Sequence, residues 1–274
     1  MAGERGMGTL LHARGGRVWL ALHRPFAAAG TALLAPALLL ALWELAARRG
    51  WLDPLFFPPP SAVARTWWRL AREGVLLHDV RVSLARLLAG FALGAAPAVA
   101  LGMAMGLWRP VRVALLPLVT ALYPIPRIAV LPLVLVLFGI GERGKLFMIA
   151  FSVFFLMLLE TLAGVRRIEP VYLDVARSLR ASRWKQYRSV AWPGALPAVC
   201  TGARLALGFA LIVIVGTEFL AASNGVGARI WRAYQVLDIE TLYAGLATTA
   251  LMGWGLTLLV SAVERVALPW QHGG

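Results

Sequence analysis

Seven residues, GIGERGK at 139–145, carry the spacing of two phosphate-binding motifs at once. They match the dinucleotide fingerprint G-x-G-x-x-G and the first seven positions of a P-loop, whose glycines let backbone amides approach a phosphate. The P-loop also needs Ser or Thr after the lysine to hold magnesium, but Leu146 stands there, and the segment joins two apolar runs instead of a strand and a helix. Both matches therefore read as accidental. The four histidines (His12, His23, His78, His272) fall outside the apolar runs, and no His/Cys/acid group has metal-ligand spacing. Cys200, the single cysteine, cannot form an intramolecular disulfide and reads as a small buried hydrophobe. The ionisable residues within apolar runs are Arg86, Arg127, Glu160, Arg204 and Glu218. They form no hydrolytic triad and too sparse a polar constellation for an embedded enzyme, so no catalytic residue, metal or cofactor is assigned to the chain.

The elements that hold those charges are unusually apolar. Of 274 residues, 60% are hydrophobic and 15% charged, with a mean hydropathy of +0.74, a balance foreign to soluble globular chains. Windows near 27–46, 84–107, 114–138, 146–165, 198–222 and 242–263 each approach the ~20 residues that cross a bilayer as helix. The expectation is an all-α polytopic membrane protein of about six spans: a cytoplasmic segment 1–26, a membrane domain 27–264 and a cytoplasmic tail 265–274. Arg5, Arg14, Arg17 and Arg24 precede the first run as in a signal peptide, but the run 26–47 is long enough to remain as a span.

The net charge of +14 would suit a nucleic-acid binder if the protein were soluble. Here the basic residues flank spans, where they set orientation, and no nucleic-acid partner is expected. With the N-terminus inside, inner segments carry 14 Lys/Arg and outer segments 10, counted along the sequence.

Two interruptions stand out. LDPLFFPPP (52–60) breaks helix, and SAVARTWWRLARE after it alternates Trp67, Trp68 and Leu70 with Arg65, Arg69 and Arg72, as in an interfacial helix. YPIPRIAVLP (123–132) sets Pro124, Pro126, Pro132 and Arg127 inside an apolar run. Two readings stay open: irregular backbone lining a wet pathway, or a kinked packing helix whose Arg127 snorkels to an interface.

The inner connection 166–197 is far longer than a turn between spans requires. Tyr172, Val175, Ala176 and Leu179 share one helical face, with Arg177 and Arg180 elsewhere; Ser182 can cap a second short helix through Trp184 and Tyr187, and WPGALP (192–197) closes the segment. The alternative is a helix lying on anionic lipid.

At this segment the chain resembles the permeases of binding-protein-dependent ABC importers, especially the nitrate/sulfonate/taurine branch. The family's cytoplasmic signature, an acid and small residues followed by a glycine and a downstream Leu-Pro, looks like Asp174, Val175, Ala176, RSLRASRW and Trp192-Pro193 here. Asp replaces the usual Glu, Val175 an Ala, and Arg180 stands where glycine is usual. FPPPSAV, YPIPRIAVLPLVLVLFGIGERGK and TEFLAASNGVGARI resemble further segments of that branch in order and spacing, from about Phe57 to Arg265.

The resemblance implies the type I importer permease fold and a place in the bacterial inner membrane. It further implies a homodimer with a second copy of the chain, two ABC ATPase subunits that bind ATP and magnesium, and a periplasmic or lipid-anchored solute-binding protein. It assigns coupling to Tyr172, Asp174, Val175, Ala176, Leu179, Arg180, Ala181 and Ser182, and the translocation pathway to Pro124, Pro126, Arg127 and Glu218. The cargo would be a small anion such as a sulfonate, taurine or nitrate, sometimes a heterocyclic vitamin precursor. For Glu218, pairing with Arg204 or a place at the outer interface is the alternative to substrate contact. A self-contained ion-driven carrier would instead show inverted repeats and paired midplane acids, which the sequence does not display.

Overall fold

The computed structural model describes residues 34–271, all of whose regular elements are helical. Among the described residues the chain divides into two compact parts, 34–64 and 65–271. The first contributes helix α1 (34–48), whose Glu44 pairs with Arg48 and accepts the Ser61 N–H at 2.9 Å and hydroxyl at 2.8 Å. The expected span 27–46 begins outside the described residues, as do Arg5, Arg14, Arg17, Arg24, His12, His23 and His272.

Helix α2 (Pro60–Arg72) starts on the last proline of the breaking stretch. As expected it is amphipathic: Thr66 and Leu70 are buried, while Trp68 is exposed with the Arg72 guanidinium 5.0 Å from its ring centre. Then follow α3 (Val75–Leu107), α4 (Arg109–Leu122), α5 (Arg127–Phe138), α6 (Glu142–Arg166), α7 (Pro170–Ser178), α8 (Arg183–Gln186), a π-helical turn (Tyr187–Ala191), α9 (Trp192–Ala221), α10 (Val226–Gln235), α11 (Ile239–Ala267) and a closing turn Pro269–Gln271. Among the described residues four helices are long and apolar enough to cross a membrane, namely Val75–Leu107, Glu142–Arg166, the continuous Arg183–Ala221 and Ile239–Ala267, and the bent pair α4/α5 makes a fifth if counted as one span.

Three local expectations change. The window 114–138 is two helices set at 95°, because Pro124 and Pro126 withhold backbone donors where a continuous helix would need them. The window 84–107 starts nine residues early, so His78 sits in the first turn of α3. WPGALP does not close the inner segment but lies inside α9, with Pro193 next to the π-helical turn that joins α9 to α8.

The core lies where α3, α6 and α9 meet, with Leu87, Met148, Ile149, Leu158 and Ile214 nearly or fully inaccessible. Close approach of α3 and α6 comes from small residues at every fourth position of α3: Gly90, Gly94, Ala98, Gly102 and Gly106. A Cβ on Gly90 would stand 2.6 Å from Ile149 Cβ, on Gly102 2.8 Å from the Leu158 carbonyl, and on Gly106 2.5 Å from Val165 Cβ. With no water to expel between apolar helices, such backbone-close packing supplies the association energy. Large apolar side chains such as Leu93, Val136 and Ile212 face outward, as suits a multi-pass membrane protein.

Candidate functional site

The sequence-assigned coupling residues and the buried polar side chains collect at opposite ends of the long helices. At one end the chain leaves α6 at Arg166 and turns through Ile168 into α7, which starts on Pro170 and buries none of its residues. Tyr172, Val175 and Leu179 are 59%, 54% and 77% exposed, an apolar stripe left open at the foot of the bundle. After α7, Arg180 adopts φ +52°, its N–H donates to the Arg177 carbonyl at 2.8 Å, and the Ala181 N–H donates back to Ala176 at 2.9 Å. This is a Schellman turn, in which glycine is the usual residue because a side chain strains the left-handed conformation. The bend expected from a glycine therefore forms with arginine in its place.

Ser182 Oγ then accepts the Lys185 N–H at 3.3 Å and caps α8 as expected. Trp184 stacks on Tyr187 with ring centres 5.3 Å apart. Among the sequence-assigned coupling residues, Tyr172, Val175, Ala176, Leu179 and Ala181 line one groove of about 930 Å³. Asp174 points elsewhere, into an exposed ion pair with Arg177 at 2.9 Å, while Arg180 and Ser182 shape the turn.

At the other end, three polar residues of α3 spaced one helical turn apart, Asp79, Ser83 and Arg86, are buried. Arg86 lies 21 residues before Leu107, so about 32 Å along the axis, which places it near the far edge of a hydrocarbon core. Its guanidinium donates to Glu218 Oε1 at 2.7 Å, to both Glu142 oxygens at 2.6 and 2.7 Å, and to the Asn224 carbonyl and side-chain oxygen at 2.8 and 2.6 Å. Lys145 Nζ reaches Glu142 at 2.9 Å, and Arg229 pairs with Asp79. Three cations thus face three carboxylates, so that each of the buried charges Asp79, Arg86, Lys145 and Glu218 has an opposite partner.

The same groups cap α10. Its first backbone donors have no partner within the helix; the Gly225 N–H finds Asp79 at 3.1 Å, Val226 finds Ser83 Oγ at 2.9 Å and Gly227 finds Glu218 at 2.9 Å. Gly225 has φ +113°, and a Cβ there would overlap the Glu218 carboxylate. A Cβ on Gly227 would lie 2.5 Å from the Val215 carbonyl.

The sequence-assigned pathway residues are not gathered in one place. Arg127 folds back on the α4/α5 break, donating to the Tyr123 carbonyl and to that of Ile125 at 2.7 Å, with its guanidinium 5.7 Å from the Phe155 ring centre. It therefore ties together two carbonyls of the break itself, those of Tyr123 and Ile125. Pro124 and Pro126 are exposed. Glu218 is fully buried and pairs with Arg86, not with Arg204, which pairs with Glu264 of α11 instead. Sequence reasoning missed Asp79, Ser83, Glu142, Lys145 and Arg229. Two of them lie inside GIGERGK, where the phosphate-motif reading hid a structural pair, and the spacing of Asp79, Ser83 and Arg86 was the available signal.

Comparison with known proteins places these features. Residues 98–271 match the family described as binding-protein-dependent transport system inner membrane component. The chain is 34% identical over 242 residues to the taurine transport system permease protein TauC of Escherichia coli (strain K12), covering 86% of this chain and 88% of that protein. It is 31% identical over 240 residues to the putative aliphatic sulfonates transport permease protein SsuC of Bacillus subtilis (strain 168), covering 88% and 87%. A solved inward-facing structure of the MetNI methionine ABC transporter superposes with a TM-score of 0.62 at 16% identity, over 72% of this chain and 98% of that one, a likeness of fold.

Proposed function

The chain belongs to the family of binding-protein-dependent transport inner-membrane components, the permease subunits of ABC importers, and from that premise we propose that it couples a separate ATPase to uptake of a small sulfonate. The observation that carries the coupling is the open apolar stripe of Tyr172, Val175 and Leu179 at the foot of the bundle. Exposed apolar side chains at the polar end of a membrane protein need a partner, and aromatic and aliphatic anchors in a shaped groove are what protein interfaces bury. The flanking arginines supply registration against an acidic partner face.

In this reading two copies of the chain sit in the bacterial cytoplasmic membrane on two ATPase subunits, which bind the ATP and magnesium. A solute-binding protein delivers cargo at the end that carries Arg86. ATP-driven closure of the motor turns the 166–197 segment, and the rigid α3–α6–α9 core transmits that turn. The α4/α5 break, held by Arg127, lies beside the route between the copies. Alternating access needs two discrete packings, for which the proline-broken span provides the hinge. The cargo class rests on the taurine and sulfonate relatives.

The test is reconstitution with the cognate ATPase and binding protein in proteoliposomes, offering taurine, an alkanesulfonate, nitrate and methionine in turn. Sulfonate-stimulated ATP hydrolysis with matching uptake is the expected result. Accumulation by the isolated chain without nucleotide would overturn the coupling, and stimulation by nitrate or methionine alone would overturn the cargo.

A further inference from the structure

The groove beneath α7 has a wall that no motif announces. Helix α11 ends at Ala267, and the Leu268 N–H donates to the Glu264 carbonyl at 2.8 Å. Leu268 itself is fully buried, which pins the closing turn to the bundle. Pro269 fixes the next φ, and Trp270 then stands 56% exposed on the same groove as Tyr172, Val175 and Leu179.

We infer that Trp270 is an anchor for the ATPase subunit, so that the end of the chain and the 166–197 segment form one docking socket. The inference rests on the coupling reading above and adds to it a residue 91 positions from Leu179 in sequence. Shared lining supports it: the ring stands on the same groove as the apolar stripe of α7. Shape supports it too, because a concavity of about 930 Å³ with a tryptophan wall fits a protruding protein knob. Charge indicates the kind of knob: residues 166–197 hold seven Lys/Arg and two acids, by count. The complementary partner face is an apolar projection ringed by Asp and Glu. Tryptophan at the centre of such a contact is the residue type that most often dominates binding.

The experiment measures the dissociation constant of the ATPase subunit from the full-length chain in nanodiscs. Trp270→Ala should weaken binding about thirtyfold, Trp270→Phe much less, and Leu179→Asp should abolish it. Parent-like affinity of Trp270→Ala with loss in Leu179→Asp overturns the inference and leaves the coupling reading standing. Parent-like affinity of Leu179→Asp overturns the coupling reading and the inference with it. A Trp270→Cys variant carrying a photoreactive maleimide should form an adduct with the ATPase subunit; adducts with phospholipid alone place the ring in the bilayer and also overturn the inference.

Discussion

Arg86 and Glu218 meet at 2.7 Å, with side chains 7% and 0% exposed, and each is also bound by groups from other helices. Glu142 and Asn224 complete the arginine, while Ser83 and the Gly227 N–H complete the carboxylate. A buried pair of this kind adds little over a well-packed apolar pair, but removing one member strands the other.

Arg86→Leu should therefore cost about 3–5 kcal/mol, read as a lowered unfolding midpoint in detergent. Adding Glu218→Leu should restore part of that loss, because the double change leaves no stranded carboxylate beside Ser83. Equal midpoints for single and double variants would show that Ser83 and the Gly227 N–H suffice for the Glu218 carboxylate without the arginine.

Gly225→Ala should damage the same region without removing a charged residue. The new methyl would overlap the Glu218 carboxylate and impose a positive φ that alanine resists. Loss of folded yield comparable to Arg86→Leu is expected. The matched control is Gly255→Ala, on α11, where a methyl meets nothing within 4 Å.

Arg180→Gly should act in the opposite direction. Glycine relieves the left-handed strain at φ +52°, a gain of about 1 kcal/mol in the turn. Transport rates should be retained or raised, since the bend is unchanged; a drop in coupled ATP hydrolysis would show that the guanidinium itself touches the motor.

Ala176→Glu places a bulky charge in the apolar groove beside Tyr172 and Leu179. Membrane insertion and unfolding midpoint should stay near parent values, because α7 buries nothing in the bundle, while ATP-dependent uptake falls to background. Normal uptake would remove Ala176 from the coupling face.

The sequence by itself determined the solvent, the helical class and the amphipathic face of α7. Runs of about 20 apolar residues admit few structures in a bilayer, and the face shared by Tyr172, Val175, Ala176 and Leu179 follows from a period of 3.6. Ser182 as a cap was legible because capping is local. The glycine ridge of α3 was present in the letters as a four-residue repeat, yet only its closeness to Ile149, Leu158 and Val165 gave that repeat a meaning. The tertiary structure alone decided which charges meet: Asp79 with Arg229, Arg86 with Glu142 and Glu218, Arg204 with Glu264. It also capped α10 with side chains borrowed from α3 and α9, and brought Trp270 to the groove of α7. Periodicity and capping act over one or two turns of one helix, whereas an ion pair across 132 residues depends on how helices pack, which no local pattern encodes.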